Sequence, residues 1–85
     1  MASEAIFSVW VDTKSGDLMT FGTNPGRAMT REAAWKKVQE VKAPAFSDSI
    51  GAEVSYVRVF RGCTRVFSTA KFSDGTWTSN AQVER

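Results

Sequence analysis

Apolar and polar residues alternate over Ile6–Val11, with Phe7, Val9 and Val11 on one side and Trp10 on the other. That period of two predicts a strand. The stretch Asp12-Thr13-Lys14-Ser15-Gly16-Asp17 is turn chemistry, and Leu18–Phe21 returns as a short partner strand. Residues 22–26 read as loop. The period then changes to that of a helix. Thr30 is an N-cap, Met29 packs back over the start, and Glu32 sits in the positively polarised first turn. Ala34, Val38 and Val41 form one apolar stripe with Trp35 on its flank, while Glu32–Lys36 and Lys36–Glu40 pair on the wet face. Pro44 stops the helix, which is predicted over Arg31–Lys42.

Two longer strands follow, Glu53–Phe60 and Cys63–Phe72, joined across Arg61-Gly62. Asp74-Gly75 then turns the chain into a short last strand at Thr76–Ser79. The predicted order is ββαβββ. This is an α+β fold, with one helix on one face of an antiparallel sheet of four to five strands, and residues 1–85 form a single domain.

Placing the hairpin turn at Arg61-Gly62 assigns the faces. Val57, Val59, Val66, Ala70, Phe72 and Trp77 collect on one side as a core for the helix stripe. Tyr56, Arg58, Phe60, Arg65, Phe67 and Lys71 collect on the other, joined by Trp10 from the first strand. The same register sets Arg58 opposite Arg65, a like-charge pair that costs stability unless an acidic partner relieves it. One short helix does not cover both faces. Either the 22–29 and 43–52 loops shield these rings while the arginines reach out to water, or the second face binds something.

Composition narrows the chemistry. The 85 residues hold no His and one Cys, so a Ser-His-Asp or Cys-His arrangement, a His metal site and an internal disulfide are all excluded. No catalytic set, metal site or cofactor is expected. Asp12 and Asp17 are read as turn carboxylates, and Cys63 as a small residue filling a hairpin end between two arginines. Gly22, Gly26 and Arg27 lack phosphate-loop spacing. Residues 1–8 carry no basic leader and Ala5–Val11 is too short for a span, so the expectation is a cytoplasmic protein without a membrane segment.

Charge is unevenly spread. The chain nets +2, yet residues 27–42 and 53–71 each carry +3. The first set lies mainly on a solvated helix face; the second is interleaved with rings on a sheet. Aromatics and Arg are what interface centres favour, whereas Lys is depleted there. The expected function is therefore a small non-enzymatic interaction module of regulator or inhibitor type, by analogy a phage or mobile-element inhibitor. Its partner would be a protein with an acidic surface. Partner-binding residues are Trp10, Tyr56, Arg58, Phe60, Arg65, Phe67 and Lys71. Two alternatives use the same face: single-stranded nucleic acid stacked on the rings, or a homodimer. The string Val57-Arg58-Val59-Phe60-Arg61-Gly62 has the ingredients of an RNA-binding sheet motif in the wrong order, and a net +2 is modest for that role.

Overall fold

The computed structural model describes residues 5–24 and 26–78, and the N-terminal alternating run becomes strand β1 (Phe7–Thr13). Strands β2 (Leu18–Phe21), β3 (Val54–Arg61) and β4 (Thr64–Ala70) complete a four-stranded antiparallel sheet in the order β2-β1-β3-β4. Helix α1 (Arg31–Lys42) has the predicted bounds, and Thr30 Oγ1 accepts from the Ala33 amide at 3.2 Å as its cap. Ala34, Val38 and Val41 are fully buried against Phe7, Val9, Val11, Val57 and Val59. The core is thus largely valine on valine, with rings sealing its borders. Ile50 and Phe46 pack on the same cluster, and Phe46 meets Phe21 edge-on at 6.3 Å.

The structure corrects the one-helix expectation. Pro44 ends α1 but also opens a second helix, α2 (Pro44–Ile50), at the position where its missing N–H costs nothing. Gly51, left-handed at φ 69°, caps it. The expected fifth strand is reduced, among the described residues, to a bridge between Lys71 and Trp77; Ser79 lies outside them. Thr78 takes Thr69 Oγ1 on its carbonyl at 2.7 Å, which ties this segment to the end of β4.

The β3–β4 hairpin also differs in register. Arg61 pairs with Thr64, so Gly62-Cys63 is the two-residue turn, with Gly62 at φ 62° in its first central position. One residue later β4 carries a bulge. Phe60 pairs with Arg65 but Val59 with Phe67, so Val66 is extra. Val66 and Phe67 both turn toward the helices, and the rest of β4 changes face relative to the simple alternation.

Candidate functional site

Both helices lie on the side of the sheet that bears Val9, Val11, Val57 and Val59. The opposite side presents Ser8, Trp10 and Asp12 from β1, Leu18 and Thr20 from β2, and Tyr56, Arg58 and Phe60 from β3. Four of these form one continuous stack along the sheet. Trp10 and Phe60 have ring centroids 5.5 Å apart at 54°, a tilted arrangement. The Arg58 guanidinium lies 5.7 Å from the Trp10 ring and 5.4 Å from the Tyr56 ring. Sandwiched between two electron-rich faces, it is held by cation–π attraction as well as by its stem. Its Nη2 donates to both Asp12 oxygens, at 3.3 and 3.2 Å, while Nε is buried with no hydrogen-bond partner among the described residues. The Trp10 indole N–H donates to Ser8 Oγ at 3.1 Å, which fixes the ring plane.

The structure therefore brings together Trp10, Tyr56, Arg58 and Phe60. Arg65 joins them at the rim, exposed and register-paired with Phe60. The expected Arg58–Arg65 opposition does not occur. Arg58 faces Trp10 on one side and Ser68 on the other, and its charge is met within the chain by Asp12.

Two expected residues lie elsewhere. Phe67 sits on the helix side, edge-on to Trp35 at 4.9 Å, because the bulge at Val66 reverses its direction. Lys71 bonds Glu53 at 3.2 Å and lies 6.0 Å from the Trp77 ring, which packs on the core, so it too leaves the aromatic face. Ala70, expected in the core, pairs with Tyr56 on the open face, and Phe72 is 55% exposed.

Asp12 is the residue the sequence reading misplaced. Alternation alone sets it two positions from Trp10, on the same side, where a carboxylate meets Arg58 rather than a turn amide. The far end of the sheet holds a second charge cluster. Glu53 takes Lys71 at 3.2 Å and Lys14 at 3.7 Å. The hydrogen bond from Lys71, then the field of Lys14, holds its carboxyl below the usual carboxylate range.

Beside the stack, a groove of about 450 Å³ opens between Trp10, Phe60 and Ile6 on the sheet and the 22–24 loop with Ala28. Cys63, exposed and free, borders it at the hairpin tip. Among the described residues no three Asp, Glu or Cys side chains converge on one point, and no helix is long and apolar enough to cross a membrane. Compared with protein-family models, curated proteins and solved structures, the chain matches none of them.

Proposed function

We propose that this chain is a small non-enzymatic interaction module, of regulator or inhibitor type, that binds an acidic surface of another protein. Trp10, Tyr56 and Phe60 are its anchors, Arg58 is locked between them, and Arg65 reaches the partner's carboxylates. The observation that supports this most is the stack itself: rings and a guanidinium side by side on the sheet face opposite both helices. Half-buried aromatics and Arg at the centre, with charge at the rim, are the composition of an interface. A net charge of only +2 favours a protein partner over nucleic acid. A single cysteine in 85 residues is low usage, which fits a reducing compartment, so we place the action in the cytoplasm.

The test is affinity capture from the native host, with and without nuclease, comparing the wild type with Tyr56→Ala and Arg65→Glu. Partners lost by both variants and kept by Phe67→Leu support the reading. Partners kept by all three show that another surface binds. Loss of all wild-type partners on nuclease treatment would move the reading to nucleic acid. A dimer in sedimentation that Tyr56→Ala dissociates would make the partner a second copy.

A further inference from the structure

Antiparallel strands alternate between residue pairs that exchange main-chain hydrogen bonds and pairs that do not. At the β1–β2 turn the Thr13 amide donates to the Asp17 carbonyl at 2.9 Å, so Val11–Met19 and Val9–Phe21 are the bonded pairs of this ladder. Leu18 and Thr20 fall in the other pairs, and their N–H and C=O groups point away from β1 to the outer edge of the sheet. Both residues are exposed, and neither has a main-chain partner on that side among the described residues. The opposite edge is partly closed, because the Thr78 amide donates to the Ala70 carbonyl at the end of β4 at 2.9 Å. Strand β2 has no charge, no Pro and no bulge, the devices that ordinarily blunt an edge.

Charge lies at the two ends of this edge, with opposite signs. Asp17 precedes β2, is exposed, and has no cation partner among the described residues. At the Phe21 end a depression of about 530 Å³ runs from Thr20 to α1, and Arg27 and Lys37 line it. Lys37 Nζ lies 4.8 Å from the Phe21 ring and shares its charge with Glu40 at 3.1 Å, whereas exposed Arg27 has no carboxylate partner among the described residues.

We propose that β2 pairs antiparallel with β2 of a second copy of this chain, about a two-fold axis at Met19. Leu18 of each copy then exchanges main-chain bonds with Thr20 of the other. The same register sets Asp17 of each copy opposite Phe21 of the other, at the depression lined by Arg27 and Lys37. Alternation puts Asp17 and Phe21 on the Met19 side of the strand, toward α1, where Lys37 lies over Phe21. The open edge selects a strand, and the charge at its two ends selects this strand in this register. Moving the axis one residue either way takes Asp17 off Phe21. The joined sheet doubles from four strands to eight and carries both ring–guanidinium stacks on one side. This pairing uses a different surface from the protein-binding face and does not depend on that reading.

The test is sedimentation equilibrium of the full chain at low salt, from about 10 μM to about 1 mM. A concentration-dependent monomer–dimer equilibrium is expected, weak because a four-residue edge buries less than a standard interface. Thr20→Pro removes an outward N–H while leaving the β1 ladder intact, and should abolish the dimer. Asp17→Lys and Arg27→Asp should each weaken it about tenfold, and the variant carrying both should recover to within about threefold of the wild type. That charge swap reads the same contact should the proline variant not fold. Tyr56→Ala should leave the dimer unchanged. A chain still monomeric at the highest concentration overturns the inference, as does a dimer that survives Thr20→Pro or a charge swap that brings no recovery. A dimer that Tyr56→Ala dissociates overturns the edge and puts the second copy on the ring face.

Discussion

Arg58 and Asp12, forty-six residues apart in sequence, meet across the two central strands through a single guanidinium nitrogen that reaches both carboxylate oxygens. The side chains are 25% and 34% exposed, so the pair is only partly desolvated. A charge-assisted contact in that setting is worth about 1 kcal/mol of coupling. Asp12→Ala, Arg58→Ala and the double variant, unfolded in urea, should close a cycle with a coupling of about that size. Additivity within about 0.3 kcal/mol would mean that the rings alone hold Arg58.

Phe67 and Tyr56 should separate stability from binding. Phe67 packs on Trp35 and the core border, so Phe67→Ala should cost about 2–4 kcal/mol in denaturant unfolding. Tyr56→Ala, on the half-buried open face, should cost about 1 kcal/mol and chiefly remove partners. The reverse order of stabilities would contradict the observed β4 register.

Two glycines with similar backbones should respond differently to alanine. Gly22, at φ 82°, would place a Cβ 2.9 Å from the Phe7 carbonyl oxygen and 3.2 Å from the Met29 methyl. That clash falls on the two-way Phe7–Met29 amide bridge that brings the chain into α1. Gly16, at φ 97°, has none of the described residues within 4 Å of the same position. Gly16→Ala should therefore cost only the left-handed backbone penalty, about 1 kcal/mol, and Gly22→Ala clearly more. Equal melting temperatures for the two variants would refute the close approach.

Glu53 should give the fold a pH dependence of known sign. Its folded carboxyl is acidified, first by the Lys71 hydrogen bond and then by Lys14, so the unfolded chain binds the proton more readily. The resulting stabilisation is complete above the ordinary carboxylate value and is lost as pH falls through the lower folded value. Urea midpoints of the wild type should exceed those of Glu53→Gln at neutral pH, and the two should converge in acid. A gap that stays constant with pH would show that the two lysines do not perturb this carboxyl.

How far the fold was legible varies by residue. Thr30, the Ala34–Val38–Val41 stripe and Pro44 carry all the information α1 needs, since capping, burial and termination are local. Strand β1 is equally readable from Phe7, Val9 and Val11. Helix α2 was hidden because Pro44 serves both as the end of one helix and as the first residue of the next; the signal was Phe46 and Ile50, four residues apart. The open face was half legible for a related reason. Trp10, Tyr56, Arg58 and Phe60 obey simple alternation, but the bulge in β4 removes Phe67 and Lys71. Its only trace in the sequence is Val66 and Phe67 side by side, two apolar neighbours that a regular strand would send to opposite faces. Asp12 reads as a turn carboxylate because a turn begins beside it, although its strand position sets it on the face of Arg58.

The strand order has a consequence for how the chain reaches this state. The β1–β2 and β3–β4 hairpins each join neighbours in sequence, so each can close early at small entropic cost. The seam between β1 and β3 is different, because both helices lie within the loop it closes. Neither hairpin has a complete hydrophobic side until the other arrives with α1 between them. Assembly should thus be rate-limited by one long-range docking event, in a single exponential phase, and neither half alone should hold its shape.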